Sequence, residues 1–464
     1  MCFVIVTSFF AIPDLNATLA LICHQQFPAS LAHSNRGSSP PDLLDELSQC
    51  LGNEHAQSAL ARFLIYGQVI AGFLSAISCP ILGSLSDSLG RKPILACSAF
   101  GLALYDSVIL LVLRHPDSID YHWLLVGSAI EGLTGSIIIA LPTSQAYIVD
   151  LTNSQDRASP FSYLQAALAV SHAVGPIISA ILIKAFKSLV AVYAIGLYAH
   201  LSLGMVFLCV LPESRSRPSG THKDDDFNGE QLTREPESLK SSAYAALPSF
   251  KSLWETSAPQ RRNIIILAVL EVTVFSIGLG TYQLQLAYPA YLFHWQPEGQ
   301  SLFMALINSW SILVLVLIFP LAMTMVRNRA SCLPGPKSPS VFNVGEISAI
   351  QLLLLLQGVG YLAIVLSQHQ VLFISSSLIV ASAAPALPLL TSCLTAHVPS
   401  DHTGQLLGAL SFLHAIARII IPASLNALYS STIGWFPQAL FVVLATVFGG
   451  LFLASICIQR NRGI

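Results

Sequence analysis

Long apolar runs alternate with short polar segments along almost the whole chain. A helix needs about 20 apolar residues to cross a hydrocarbon layer about 30 Å thick, and only helices or closed barrels can cross it. The pattern therefore predicts an all-α integral membrane protein with twelve transmembrane helices. The predicted spans are 2–22, 61–82, 93–113, 123–148, 161–183, 188–211, 263–290, 301–326, 346–367, 370–395, 404–430 and 433–457.

The first run differs from the other eleven. Pro13, Asp14 and Asn16 interrupt it, and no basic residue precedes it. A secretory signal peptide, which begins with a charged region, is therefore also a poor match. A shortened N-terminus explains both features, and we expect the first helix to be truncated.

A polar segment separates the sixth span from the seventh. Residues 212–262 hold sixteen of the forty-six Asp, Glu, Lys and Arg residues. Such a segment buries too little apolar surface to fold alone, so we predict a partly disordered linker. It divides the chain into two six-helix bundles, residues 1–211 and 263–464, an arrangement typical of transporters built from repeated halves.

Basic residues lie mostly on one side of the predicted spans. Sixteen of the 22 Lys and Arg residues fall on the side that holds the linker and both termini, five on the other side, and Arg418 within a span. Because cytoplasmic loops are enriched in Lys and Arg, the linker side is predicted to be cytoplasmic. We expect the protein in the plasma membrane, with a vacuolar or other internal membrane as the alternative.

Composition narrows the classes of function. The chain is 54% hydrophobic and 10% charged with a net charge of -2, whereas soluble domains carry about 25% charged residues. It lacks the basic field that nucleic-acid binding requires, and no hydrolase, metalloprotease or nucleotide-binding motif is present. We predict no enzyme activity, no cofactor and no metal site. Cys23 and Cys50 flank the first outer loop, where a disulfide and two free thiols both remain open.

The most charged short stretch of the first half is GSLSDSLGRK, residues 83–92, between spans two and three. Gly83 and Gly90 allow a tight turn at the membrane surface, and Arg91 is placed to reach Asp150 on a neighbouring helix. Pairs that form in only one arrangement of the bundles act as a conformational latch. The alternative is that the basic residues only anchor the loop at the cytoplasmic surface. The residues of the predicted latch are Gly83, Asp87, Gly90, Arg91, Lys92, Asp150 and Arg157.

This stretch resembles the signature loop of the major facilitator superfamily, in pattern, order and location. Further resemblances are Asp150-Leu-Thr152 with Arg157 and Phe161, Gly175-Pro176, Leu211-Pro-Glu-Ser-Arg215 and the run TGQLLGAL at 403–410. The closest resemblance is to fungal members related to the proton-coupled folate transporter and tetracycline exporter branches. It implies a monomer that exposes a central cavity to each side of the membrane in turn, with a small-molecule substrate, protons and lipid as partners.

Ionisable groups within spans are functional candidates, because a charge at mid-span costs about 2.5–3.5 kcal/mol on insertion. The resemblance places helices three, six, nine and twelve outside the cavity, so Asp106 and His200 are expected to be structural. Arg418 must meet a carboxylate, backbone carbonyls, water or an anionic substrate, and Glu271 is one candidate partner. A buried Glu that gives up its Arg partner and takes up a proton would couple transport to a proton gradient. A permanent structural ion pair is the alternative. The groups expected to face the cavity are Glu131, His172, Glu271, His414 and Arg418.

Gly175-Pro176 in span five predicts a bend and a close helix contact at the cavity wall. This pair resembles part of a longer glycine-rich pattern of exporters, although Ser179 and Ala180 stand where further glycines are expected. We therefore predict a secondary active transporter that exports a small organic solute by alternating access, coupled to protons. The alternatives are proton-coupled uptake of an organic anion similar to folate, and a membrane receptor or scaffold that does not transport.

Overall fold

The structure is a computed structural model that describes residues 2–27, 43–151, 158–214, 258–331, 340–396 and 403–458. Within these ranges every regular element is helical. The α-helices are α1 (Cys2–Gln26), α2 (Leu43–Cys50), α3 (Glu54–Leu89), α4 (Arg91–Arg114), α5 (Leu124–Thr134), α6 (Ser136–Leu151), α7 (Ala158–Phe186), α8 (Leu189–Cys209), α9 (Ala258–Phe293), α10 (Pro297–Leu313), α11 (Phe319–Ser331), α12 (Ser340–Val365), α13 (Gln370–Ala381), α14 (Ala386–Ala396), α15 (Thr403–Thr432) and α16 (Ala439–Ile456). One π-helical turn, Val314–Ile318, joins α10 to α11.

Ten helical stretches of the described chain are long and apolar enough to cross a membrane. They confirm an all-helical membrane protein and match ten of the twelve predicted spans, the first included. The fifth and eleventh predicted spans are also helices, α7 and α15. The described apolar stretch of α7 is Val170–Phe186, and α15 carries Arg418 near its middle. The count of twelve crossings is thus supported at ten positions.

Two of the crossings are interrupted near the middle of the molecule. Gly135 has a φ of +72° and ends α5, so the chain enters α6 at an angle to α5. Glycine is suited to this position because the left-handed conformation has no Cβ clash there. The turn at 382–385 separates α13 from α14 in the same way. Discontinuous helices expose backbone and side chains at the bilayer midplane, where transporters form their sites.

The helices pack as two groups. Helices α1 to α8 contact one another, and so do α9 to α16, while α7 against α10 and α3 against α15 form the main seams between the groups. The predicted linker lies largely outside the described residues, so the domain boundaries at 211 and 263 stay predictions. We call the end of the bundle near Gly90 the inner end, which is the predicted cytoplasmic end, and the opposite one the outer end.

The two groups are in contact toward the outer end and separate toward the inner end. Ser58 on α3 donates a hydrogen bond to the Ser430 carbonyl on α15 at 2.8 Å. One residue of the same seam, Gly72, is so close to Ile419 that an added Cβ would lie 2.7 Å from it. Gly83 lies on the same face about 16 Å further along α3, and an added Cβ there would meet no atom of the described residues within 4 Å. The described parts of this seam are therefore in contact at the outer end and apart at the inner end.

The outer end is covered by the short helix α2. The structure joins Cys23 at the end of α1 to Cys50 at the end of α2 by a disulfide, which decides between the two alternatives left open by the sequence. His24 reaches Glu46 on α2 at 2.9 Å through Nδ1 and Asp117 after α4 at 2.8 Å through Nε2. Together these contacts hold α2 against the first helix group.

Candidate functional site: a charged cavity between the helix groups

A cavity of about 720 Å³ lies between the two helix groups. Residues of α1, α3, α4, α5 and α7 form one wall, and residues of α9, α10 and α15 form the other. Its size falls in the range of about 300–1,000 Å³ that is typical of small-molecule sites. Aromatic and aliphatic side chains alternate with a few polar groups along the wall, so an organic molecule of moderate polarity fits this chemistry.

Opposite charges face each other across this cavity. Glu131 on α5 and Arg418 on α15 both line it, and they interact electrostatically. Within the described residues no ion pair shorter than 4 Å joins them. Glu131 lies one turn before Gly135, where α5 ends, so the helix interruption places the carboxylate at the cavity wall. Both residues thus lie where the sequence predicted them, but the counter-charge of Arg418 is Glu131.

Glu271, the predicted partner of Arg418, has other partners. The His414 Nε2 lies 2.8 Å from Glu271 Oε2, and the Thr391 hydroxyl donates to Glu271 Oε1 at 3.3 Å. The ring of Phe275 lies over His414 with 4.1 Å between ring centroids. This buried cluster belongs wholly to the second helix group. His414 is one helical turn from Arg418 on α15, on the inner side of it.

Asp14 is a cavity residue that the sequence analysis treated only as an interruption of the first span. It lines the cavity from α1, and the Tyr193 hydroxyl of α8 donates a hydrogen bond to Asp14 Oδ1. Tyr105 of α4 makes a second side-chain hydrogen bond to it. The general rule that intramembrane carboxylates are functional candidates would have identified Asp14. Two carboxylates therefore share the first wall of the cavity.

The Asp106 and His200 pair lies away from this cavity, as expected of residues with a structural role. Asp106 Oδ2 lies 2.6 Å from His200 Nδ1, between α4 and α8, and both side chains are 1% exposed. Phe10 of α1 stacks on the His200 ring at 5.6 Å. The pair satisfies one polar atom of each buried group, while Asp106 Oδ1 and His200 Nε2 are buried without a hydrogen-bond partner among the described residues.

The predicted close contact at Gly175 joins α7 to α1. An added Cβ at Gly175 would lie 2.7 Å from the Ser8 Cβ and 2.8 Å from the Phe9 backbone nitrogen. Pro176 beside it is buried. One turn earlier, His172 lines the cavity, and its Nδ1 lies 3.1 Å from the Ser8 hydroxyl. The glycine thus sets the distance between two helices that supply cavity residues.

At the inner end the predicted pair of Arg91 and Asp150 is present. The Arg91 Nε donates to Asp150 Oδ2 at 3.0 Å. Gly90 makes the turn between α3 and α4 with a φ of +106°. Gly83 is inside α3 and not in the turn, which corrects the expectation that both glycines shape it. The side chain of Asp87 and the whole of Arg157 lie outside the described residues.

Glu213, just after α8, contributes to this inner cluster and was missed as a site residue. Its carboxylate accepts hydrogen bonds from the backbone N–H groups of Arg91 at 2.9 Å and Lys92 at 3.3 Å. These are orphan donors of the first turn of α4, and a negative charge there also complements the helix dipole. Ser214 donates to Asp150 Oδ2 at 3.1 Å. All of these contacts lie within the first helix group.

The sequence profile described as Major Facilitator Superfamily matches residues 63–422. The chain belongs to the major facilitator superfamily. It is therefore a multi-pass membrane transporter and not an enzyme, as the loop at 83–92 led us to expect.

Two relatives and one solved structure are similar to this chain over most of its length. The MFS-type transporter avaJ of Aspergillus versicolor is 42% identical, over 97% of this chain and 85% of that protein. The class C tetracycline resistance protein of Escherichia coli is 26% identical, over 82% of this chain and 84% of that protein. The crystal structure of the human organic anion transporter MFSD10 (TETRAN) has a TM-score of 0.53 at 20% identity, covering 97% of this chain and 99% of that one. That last likeness shows the fold alone.

Replacing Glu213 by alanine is expected to loosen the start of α4 in this superfamily member. Loss of a carboxylate that caps a helix costs about 0.5–1 kcal/mol. We expect faster amide hydrogen exchange at Arg91 and Lys92, measured by mass spectrometry in detergent micelles. Glu298→Ala, in the first turn of α10, is the matched control and should leave exchange at these amides unchanged. Equal protection in Glu213→Ala would show that the cap contributes nothing.

Proposed function

We propose that the protein exports a small organic solute in exchange for protons by alternating access. The observation that carries this proposal is the cavity between the helix groups, with Asp14 and Glu131 on one wall and Arg418 on the other. Carboxylates are the groups that a proton gradient can neutralise, and a cavity between two movable groups can face either side of the membrane in turn.

The exchange follows from competition at the carboxylates. In this scheme Asp14 and Glu131 release their protons to the inner side, and the solute then binds in the field of two carboxylates and one guanidinium. Facing an acidic outer side, protons neutralise the carboxylates and remove the charge that holds the solute, which leaves. Each cycle therefore carries protons inward and the solute outward. Outward movement should increase as the outer side is made more acidic, and it should stop when the gradient is dissipated.

Two further features support export. One relative is named for resistance to tetracycline. This name supports export, because a transporter protects a cell from a compound by moving it out. Gly175-Pro176 resembles part of the glycine-rich pattern of exporters and packs α7 against α1, the helix that carries Asp14.

A second candidate function, proton-coupled uptake of an organic anion, is favoured by Arg418 alone. If an anionic solute took the place of Glu131 beside Arg418, the released carboxylate would take up a proton. Proton and anion would then bind together and travel in the same direction. The two candidates therefore differ in the sign of the proton movement that accompanies the solute.

Purified protein in lipid vesicles with a trapped pH dye tests both. Tetracycline, rhodamine 123 and fluorescein are offered on each side of an imposed pH step, and solute and proton fluxes are recorded together. Opposite fluxes of solute and protons support export by exchange, whereas parallel fluxes support anion uptake. Asp14→Asn and Glu131→Gln should each weaken the dependence of flux on the pH step. Solute flux that does not change with the pH step for any of the three compounds would contradict proton coupling.

A further inference from the structure

A chain of three amide side chains crosses the seam between the helix groups at the cavity wall. Gln68 on α3 donates through Nε2 to Gln283 Oε1 on α9 at 2.8 Å. Asn426 on α15 donates through Nδ2 to Gln68 Oε1 at 3.3 Å. One carboxamide of the first group is thus held at both ends by two carboxamides of the second group. We call Asn426, Gln68 and Gln283 the amide bridge.

The amide bridge belongs both to the seam and to the cavity. Gln68 and Gln283 line the cavity, while Asn426 is fully buried behind them. Gln68 lies one turn outward from Gly72, the residue packed against Ile419, and Ser58 makes its contact with Ser430 further out. A solute in the cavity therefore lies against the bridge, whereas the contact between Ser58 and Ser430 is further toward the outer end.

The bridge must break when the cavity opens to the outer end. Gln68 moves with α3, whereas Gln283 and Asn426 move with α9 and α15, so separation of the groups removes both hydrogen bonds. Neutral hydrogen bonds contribute little net stability each, because water or another polar group replaces the lost partner. A buried ion pair in this place would be far harder to part. An uncharged bridge is thus suited to a closure that opens in every transport cycle.

A buried atom of Asn426 gives the bridge a second arrangement. Asn426 Oδ1 is buried with no hydrogen-bond partner among the described residues, and its Nδ2 also donates to the Pro422 carbonyl at 2.9 Å. Buried acceptors are rarely left without a donor. If Gln283 turned to another partner, the freed Nε2 of Gln68 would have this acceptor within the same cluster. A solute that takes Gln283 alone therefore leaves Gln68 joined to Asn426 across the seam, and the seam opens only when the solute also takes Gln68.

We infer that the amide bridge is a gate operated by the solute: a molecule in the cavity that hydrogen-bonds Gln68 and Gln283 replaces the bonds of Gln68 to Gln283 and Asn426 and releases the outer seam. This inference rests on the proposed transport function and adds a class of substrate to it. The solute must carry a carbonyl, amide or hydroxyl group. A ligand shifts a conformational equilibrium only by its differential affinity for the two states, so a solute without such groups binds but does not open the seam.

The outer seam can be measured without transport. His55 and Trp435 are exposed at the outer ends of the first and second groups. Cysteine substitutions there, in a protein whose other unpaired cysteines are replaced, carry spin labels whose separation is read by double electron–electron resonance. We expect Gln68→Leu, which removes both hydrogen bonds of the bridge, and Gln283→Leu, which removes one, to raise the ratio of open to closed protein by about 2- to 13-fold for each bond lost, which corresponds to about 0.5–1.5 kcal/mol.

Two control variants isolate the bridge. Gln351→Leu removes a glutamine that donates to Ser455 within the second group, and it should leave the distance distribution unchanged. Ser58→Ala removes a contact of the same seam outside the cavity lining, so it should open the seam in part while tetracycline still lengthens the distances further. If the distances between the spin labels in both Gln68→Leu and Gln283→Leu equal those of the unmodified protein, the inference is wrong.

The solute experiment compares tetracycline, which has hydroxyl, carbonyl and amide groups, with tetraphenylphosphonium, which has no group that can form a hydrogen bond. Tetracycline should lengthen the distances in the unmodified protein and should have no further effect in the leucine variants, and tetraphenylphosphonium should leave the distances unchanged. If the leucine variants open the seam but tetracycline does not, the bridge is a closure without a solute trigger, and the inference is wrong. An open seam in variants of a protein that moves no solute would instead contradict only the proposed function.

Discussion

Substitution of Arg418 by alanine is expected to reduce pH-driven solute flux on the order of 100-fold, with the protein still inserted in the membrane. A loss of this size corresponds to about 3 kcal/mol, and it follows from removal of the opposite charge that favours the ionised form of Glu131. Here Glu131 would face the cavity without the guanidinium that interacts with it across the wall. Glu131 would then stay protonated, and the step that exchanges solute for a proton would be lost.

Flux in lipid vesicles across an imposed pH step measures this effect. Glu131→Gln in the Arg418→Ala background should recover part of the stability but not the proton coupling, since the two substitutions act on one interaction. Arg114→Ala, at the exposed outer end of α4, is the matched control and should leave flux unchanged. Unaltered kinetics in Arg418→Ala would remove this residue from the site.

Substitution of Gly175 is expected to have the largest effect on stability. The Cβ of Gly175→Ala would lie under 3 Å from backbone and Cβ atoms of Ser8 and Phe9, so α1 and α7 must move apart. Overpacking of this kind typically costs about 1–3 kcal/mol, and Gly175→Leu should cost more. The displacement also moves His172 away from Ser8, so flux should fall together with stability.

Thermal unfolding in detergent micelles, followed by intrinsic fluorescence, reads out this prediction. Gly450→Ala is the matched control, because an added Cβ at Gly450 meets nothing within 4 Å, and alanine favours helix more than glycine. Its melting temperature should be unchanged or slightly higher. A melting temperature of Gly175→Ala equal to that of the unmodified protein would show that the helices adjust to the methyl group without cost.

The inner cluster around Arg91 shows how far local sequence reasoning reaches. The pairing of Arg91 with Asp150 was predictable, because Arg91 begins α4 and Asp150 lies near the end of α6, and both ends are on the predicted cytoplasmic side. Glu213 was not singled out, although its carboxylate accepts a hydrogen bond from the backbone N–H of Arg91 at the start of α4. It is more than 120 residues from Arg91 along the chain, and a hydrogen bond to backbone N–H groups leaves no pattern in side-chain identities.

The sequence by itself determined the membrane class, the position of ten crossings, the superfamily and the presence of Arg418 and Glu131 at mid-span. The membrane class, the crossings and the charges at mid-span follow from hydropathy and charge within single helices, which depend on neighbouring residues only. The superfamily follows from the resemblance of the loop at 83–92 to its signature loop. The tertiary structure alone decided that Arg418 faces Glu131 while Glu271 pairs with His414, and that Asp14 lies in the cavity. It also brought Gln68, Gln283 and Asn426 together. Such pairings depend on the rotation and distance of helices that are remote in sequence, and these are set by packing such as that at Gly175.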